Sequence, residues 1–433
     1  MVTSSSDLRG ARRALLAVCT ALCAFTAAAS SATAAPLNGV SIAPITADSS
    51  SPVREIGQAR KLGARTVRTE LSWDDLEGAG RGRYDQGVLR SADRVFAAAH
   101  SRGMRVVLLM AGTPCWASSA PDAEKGSCDS DAQRSAASHY PPSDAGDFAR
   151  IASFVAGRYR TTLRAFEVWN EPDQSNQLYF AGPDKANRYA ALLRAAYPAI
   201  KHAAPGVTVL AGAIVGANGA FLKALYAAGI RGSYDALSVH YYDLVLYSLK
   251  SIRAVMRANH DSKPVWLAET GWSSCAPARL QDGQVCVSRK TQARNLLDLL
   301  QAVRKTSWVR AVIIYSLRDS SQYDLGLLDQ AGRAKPSGSA MRKAFAHGAG
   351  GPRRITARLT RGGSGALLRV SGPAGDVYGA KLYVGGALRG QINFRLGAGN
   401  RYAGRLPAQL GSRHLRVRVF RFWDNRGATA RLG

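Results

Sequence analysis

Phe166-Glu167-Val168-Trp169-Asn170-Glu171-Pro172 is a short apolar run that ends on a carboxylate, and Val265-Trp266-Leu267-Ala268-Glu269-Thr270-Gly271-Trp272 repeats the arrangement further along. Each run is brief, rich in branched and aromatic residues, and closed by turn formers, which predicts a buried strand. A carboxylate at the exit of such a strand is poorly placed for packing and well placed for chemistry. Two of them on separate strands, Glu171 and Glu269, suit glycoside hydrolysis, in which one protonates the leaving oxygen and the other attacks the sugar. The plain alternative is a pair of solvated loop carboxylates.

Around these runs the same grammar recurs. Eight strand candidates can be named: Gly39–Ile42, Thr66–Leu71, Val106–Met110, Ala165–Asn170, Thr208–Ala211, Ala236–Tyr241, Val265–Glu269 and Ala311–Ser316. Ala- and Leu-rich helical stretches, such as Tyr189–His202 and Lys290–Thr306, lie between them. That alternation over residues 37–349 predicts an α/β fold, a (β/α)8 barrel. An open doubly wound sheet is the rival, but no Gly-rich phosphate loop follows the first strand. Near Gly348-Ala349-Gly350-Gly351-Pro352 the composition shifts, and short alternating runs follow (Ile355–Leu359, Ala366–Val370, Leu382–Val384, Leu415–Phe422). They predict a small C-terminal β-sandwich over residues 352–433.

The first residues read as a processing signal. Arg9, Arg12 and Arg13 precede the apolar stretch Ala14–Ala29, and Ala32-Thr33-Ala34 supplies small residues for cleavage, so residues 1–34 are expected to be a secretory signal peptide. Arg12-Arg13 also permits a twin-arginine route. The stretch is short for a membrane span, and no later one is long enough. Removal of the signal takes away Cys19 and Cys23 and leaves Cys115, Cys128, Cys275 and Cys286. An even count in an exported protein favours disulfides, and proximity suggests Cys115–Cys128 and Cys275–Cys286. No CxxC pair or histidine cluster points to a metal, and no cofactor is expected.

Of 433 residues, 58 are Lys or Arg and 30 are Asp or Glu, a formal charge of +28. Residues 350–433 hold sixteen of the cations against two Asp and no Glu. Such a surface attracts anionic polymers, for instance a cell-wall polymer or an acidic exopolysaccharide. A bias toward Arg in the composition is the other source of that charge. No nucleic-acid-binding motif accompanies it.

The motifs, in order, are Val67-Arg68, Trp73-Asp74-Asp75-Leu76-Glu77, Thr113-Pro114-Cys115-Trp116-Ala117-Ser118, Trp169-Asn170-Glu171-Pro172, Ser238-Val239-His240-Tyr241-Tyr242, Glu269-Thr270-Gly271-Trp272 and Gly326-Leu327-Leu328-Asp329. Lys335-Pro336 follows where the barrel would close. This pattern resembles the clan A glycoside hydrolases, and within them the family 39-like and family 5-like cellulase-related proteins, over nearly the whole barrel. The resemblance implies Glu171 as general acid/base and Glu269 as nucleophile, with retention of configuration. It further implies that Asn170 binds the sugar 2-hydroxyl, that Arg68 orients Glu269, and that Tyr242 (or Tyr241) hydrogen-bonds the nucleophile beside His240. Glu171 must start protonated, and the neighbouring anion is expected to raise its pKa.

Trp116 and Trp73 are candidate sugar platforms, because a flat apolar ring suits the C–H face of a pyranose. Packing is the alternative for both. Trp169 is expected in the core, Glu77 in a loop tie, and Glu70 as an inward third carboxylate. Families of this kind often place tryptophan near the end of strand eight, whereas this chain has Tyr315. The expected activity is therefore secreted, retaining hydrolysis of a polysaccharide or oligosaccharide. A carbohydrate- or wall-binding protein on the same barrel and a transglycosylase are the alternatives.

Overall fold

In the computed structural model the eight strands close into a parallel barrel in sequence order. They are β1 (Leu37–Ser41), β2 (Thr66–Ser72), β3 (Arg105–Ala111), β4 (Leu163–Val168), β5 (Thr208–Ile214), β6 (Ala236–His240), β7 (Val265–Thr270) and β8 (Val309–Ile314). The structure describes residues 36–432 other than 243–244, 275–285, 305, 352, 363–364, 408–409 and 411–413. The expected signal peptide and Cys275 lie outside these residues. No described helix is long and apolar enough to cross a membrane.

Alternation decides what each strand residue does. Phe166, Val209, Leu237, Val265 and Val312 face the surrounding helices and join the main core. Their neighbours Ala165, Leu210, Ala236, Trp266 and Ala311 pack together inside the barrel with Val107 and Ile313. Further along the same inward positions the residues turn polar: Arg68 and Glu70 on β2, Glu167 on β4, Ser238 and His240 on β6. An apolar plug therefore supports a charged layer at the carboxyl ends of the strands.

Between barrel and helices runs a chain of edge-on and tilted aromatic contacts, Trp116–Trp73–Phe148–Trp169–Phe180–Tyr189. Each fully buried ring contributes about 2–3 kcal/mol. Trp73 is one of them. With 0% exposure and its indole N–H donated to Glu77 at 2.7 Å, it is a core residue, which corrects its reading as a sugar platform. Glu77 also accepts from Arg150 and so ties the β2 loop to the helix Ala145–Tyr159. The Cys115–Cys128 disulfide closes the loop after β3. Cys286 is also disulfide-bonded.

After the barrel's last helix (Pro336–His347) the described residues form seven strands in two antiparallel sheets. One has the order β13 (Arg401–Arg405), β10 (Gly365–Ser371), β9 (Thr356–Gly362). The other runs β12 (Ala387–Arg395), β11 (Val377–Val384), β14 (Leu415–Arg421), β15 (Gly427–Arg431). Leu368, Val370, Tyr378, Ala380, Val417 and Val419 fill the space between them. The sequence pattern had pointed to four of these strands; β12, β13 and β15 are mostly polar or small and carry little apolar alternation.

This sandwich is fastened to the barrel. Asn400 donates to Asn295 at 2.9 Å in a buried contact, and Arg353 pairs with the buried Asp298 through Nε at 2.8 Å. Trp423 packs on Trp308 with centroids 5.9 Å apart, and the Leu246 N–H donates to the Gly375 carbonyl at 3.2 Å.

Candidate active site

The end of β4 does not continue as a strand. Trp169 and Glu171 adopt left-handed backbone, φ 71° and 42°, which non-glycine residues take only when their surroundings enforce it. Here Trp169 is wedged in the core, while Asp173 accepts the backbone N–H groups of Val215 and Gly216 and ties the turn to β5. The turn carries the Glu171 carboxyl over the barrel mouth. Asn170, next to it, holds its Oδ1 buried and without a hydrogen-bond partner.

The route of Glu269 is different. Trp266 points into the barrel, so strict alternation would send Glu269 outward. The pairing of β7 shifts register on both sides, with Ala268 skipped between Leu267 and Glu269 against β6 and between Leu267 and Thr270 against β8. This bulge turns the Glu269 side chain inward.

Both carboxylates meet His240. Its Nδ1 lies 2.9 Å from Glu171 Oε1 and 3.5 Å from Glu269 Oε2. One oxygen of each glutamate and a ring nitrogen all fall within 4.8 Å of one another. Arg68 donates Nη1 to Glu269 Oε1 at 2.7 Å and Nε to Glu167 Oε2 at 2.7 Å. Tyr242 donates its hydroxyl to Glu269 Oε2 at 2.7 Å, so both oxygens of Glu269 are held. Tyr241, with opposite parity, is buried and donates to the Gly216 carbonyl. Gln174 donates to Glu171 Oε2, and Ser238 to Glu167 Oε1.

Electrostatics follow from this packing. Burial alone would raise Glu167, but the Arg68 charge and the His240 and Ser238 hydrogen bonds hold it down at about 2. Burial would lower His240, yet Glu269, Glu167 and Glu171 outweigh it and push the imidazole up to about 9. For Glu171 burial acts upward and loses to the His240 hydrogen bond and charge, with Gln174 and Arg68 helping, so its pKa is lowered. That reverses the expectation of a raised value: the neighbouring anion is answered by a cation in direct contact. Glu70 faces inward as expected. Burial raises its pKa, Arg68 opposes, and the Glu269 charge adds to the rise.

Three ligand atoms so close could suit a divalent ion, but an imidazole must be neutral to ligate. A proton and a divalent ion would compete for that nitrogen, since the carboxylates around His240 attract either.

Because the folded pKa of His240 (about 9) exceeds its ordinary 6.5, the stabilisation it provides is complete below about pH 6.5 and disappears as pH rises through 9. Urea unfolding at stepped pH should show up to about 3 kcal/mol lost over that interval, and a much flatter profile for His240→Asn. The same slope in both proteins would mean that His240 is neutral throughout.

A cleft of about 850 Å³ opens above these groups. Glu171, His240, Tyr242, Glu269, Tyr179 and Tyr315 line its floor and near wall. Tyr315 stands edge-on to Tyr242, with centroids 6.3 Å apart. Trp116, half-buried against Trp73 and donating its indole N–H to the Glu77 carbonyl, is not among the lining residues. The far wall comes from the C-terminal sandwich, including Gly375, Arg395, Leu396 and Asn400. Sequence reasoning missed that wall, and it placed Glu167 on a barrel strand without a role, although inward parity on β4 was the available signal.

Residues 148–341, which span the second half of the closed barrel, match the family model described as glycosyl hydrolase catalytic core. The matched stretch carries both Glu171 and Glu269. The chain's fold is similar to that of a family 39 glycoside hydrolase from Bacteroides cellulosilyticus, with 19% identity, 86% of this chain and 80% of the other covered, and a TM-score of 0.54. A monomeric β-xylosidase from Caulobacter crescentus is 15% identical over 86% of this chain and 95% of its own, with a TM-score of 0.52. A family 5 enzyme from Streptomyces cattleya, in complex with Manβ1-4GlcNAc, is 18% identical over 75% of this chain and 84% of its own, with a TM-score of 0.52. No curated protein matches the chain in sequence.

Proposed function

We propose that the protein is an exported, retaining glycoside hydrolase in which Glu269 is the nucleophile and Glu171 the general acid/base. The observation that carries this reading is the short gap between the two carboxylates, with oxygens within 4.8 Å. Inverting enzymes separate their carboxyls by about 6.5–9.5 Å to admit a water, whereas about 5–5.5 Å leaves room only for direct attack. Export is supported by the expected leader at residues 1–34 and by the Cys115–Cys128 disulfide.

The chemistry starts from one proton shared by His240 and Glu171. With the cleft open to water it rests on the imidazole, because Glu269 and Glu167 join Glu171 in holding a positive charge there. Substrate displaces that water, which weakens charge separation and favours the neutral pair with the proton on Glu171. Glu171 then protonates the leaving oxygen while Glu269 attacks the anomeric carbon, giving a glycosyl ester and a free alcohol. Glu171, now an anion, takes a proton from water as that water attacks the same carbon and releases Glu269. Arg68 and Tyr242 hold the two oxygens of Glu269 and keep it aimed in the ground state. The unpartnered Oδ1 of Asn170 is an acceptor available to the sugar 2-hydroxyl, a contact that strengthens in the transition state.

The substrate is a polysaccharide or oligosaccharide. β-Xylosides and β-mannosides are the first to try, since the similar structures include a β-xylosidase and a β-mannoside complex. The test is proton NMR of the first-formed anomer, with peptide mapping after treatment with 2-deoxy-2-fluoroglycosides. Retained configuration and a label on Glu269 are expected. An inverted first product, or a label on Glu70, would overturn the assignment.

A further inference from the structure

The C-terminal sandwich has only two acidic residues, Asp376 and Asp424, and both face Arg421. Arg426 lies near Asp424 as well, and among the described residues no other cation of the sandwich forms an ion pair within the domain. On the outer face of the four-stranded sheet the register sets Lys381 directly opposite Arg418, and Arg416 directly opposite Arg431. None of these four has an acidic partner among the described residues. Like charges opposed across strands destabilise a sheet, so this arrangement costs stability unless an anion lies over it.

The same face has a direction. Arg395, opposite Val377, shares its parity and lines the cleft that holds Glu171 and Glu269. From there the rows run outward through Asn393 and Phe420, then Gln391, Lys381 and Arg418, then Tyr383, Arg416 and Arg431. Six residues of strand carry this series about 20 Å from the cleft, with cations about 5 Å apart across strands and about 7 Å along them. Aromatic rings lie among the cations: Lys381 sits 5.8 Å over Phe420 and Arg416 4.7 Å over Tyr383. Rings can cover the C–H faces of sugars while guanidinium groups take carboxylates.

We propose that this face is a track for an acidic polysaccharide, a uronate-bearing chain that runs from the sheet past Arg395 into the catalytic cleft. The inference rests on the glycosidase reading and adds the substrate class. Continuity with the cleft favours a glycan over other polyanions, because the track ends on groups suited to sugar chemistry. The buried Asn400–Asn295 contact and the Arg353–Asp298 pair hold the track in line with the cleft.

The test compares the full chain, an Arg416→Glu/Arg418→Glu variant and a charge-matched control, Arg358→Glu/Arg369→Glu, on the other sheet. Arg418→Glu creates an opposite-charge pair with Lys381, so this variant should melt no lower than the parent. Binding is read by affinity electrophoresis in alginate, polygalacturonate, xylan and mannan, at low and high salt, with duplex DNA as competitor. The expected result is retardation by the acidic polymers alone, weakened about tenfold or more by the track reversal and by salt. The control should be affected much less, and the reversal should raise KM on whichever acidic polymer is cleaved. Equal loss in the control, or DNA competing as well as alginate, would show unspecific charge attraction and overturn the proposal. Labelling of Glu269 without binding of either acidic polymer also overturns it and leaves the glycosidase reading standing. Track-dependent binding without labelling or hydrolysis supports the track and overturns the glycosidase reading instead.

Discussion

Alanine at position 269 is expected to lower kcat/KM by about 10⁴-fold or more, which corresponds to about 5 kcal/mol of transition-state stabilisation. The covalent step has no substitute in the site: water entering the space left by the carboxylate is a weak nucleophile with no base on that face to activate it. Alanine opens that space, so added azide should enter, attack, and yield the glycosyl azide of inverted configuration. Glu171→Ala is expected to behave differently. With an activated aryl leaving group the first step needs little acid help, so the glycosyl-enzyme should form and then accumulate for lack of a base. Azide should release it with retained configuration. Comparing the two azide products by NMR assigns the roles independently of any loss of rate. Retained azide from Glu269→Ala would mean that the nucleophile lies elsewhere, and Glu70, inward and close enough to feel Glu269, would be next to test.

Removing Arg68 is expected to have the largest effect on stability. Its guanidinium, 4% exposed, bridges Glu167 and Glu269, and Glu167 is fully buried. Arg68→Met leaves two carboxylates facing each other across a desolvated gap, with His240 as the remaining cation nearby. Breaking a buried pair from one side costs about 3–5 kcal/mol, which for a chain of this size lowers the melting temperature by about 5 °C. Adding Glu167→Gln removes one of the stranded charges and should recover part of that loss. The double variant should therefore be more stable than Arg68→Met alone, with a coupling of about 1–3 kcal/mol between the sites. Strictly additive losses would mean that the pair contributes packing and little electrostatics.

Parts of this site were legible before any tertiary contact was known. Arg68, His240 and Tyr242 each sit at the inward parity of a strand end, so alternation alone places them at the mouth. Trp73 and Trp116 show the limit of that reasoning. Chain-local pattern offers an aromatic after a strand, but it cannot say whether a helix such as Ala145–Tyr159 will cover the ring. The direction of the Glu171 pKa failed for a related reason. The anion expected to raise it was visible in the sequence, whereas the histidine that lowers it lies 69 residues away and touches it only after the barrel closes.

The sequence by itself determined the eightfold succession of strand and helix, the placing of two glutamates at strand ends, and the concentration of positive charge in the last fifth of the chain. These are local or additive properties, set by residue size, branching and charge along the backbone. Tertiary structure alone decided the rest. Register shifts around Ala268 turned Glu269 toward Glu171. Contacts between residues 99 and 201 apart in the chain assembled Glu167, Arg68 and Glu269 into one network. Docking of the sandwich set Arg395 at the catalytic cleft. The physical reason is common to all three: bulges, buried ion pairs and domain contacts depend on which surfaces meet when the barrel closes, and no single segment of the chain carries that information.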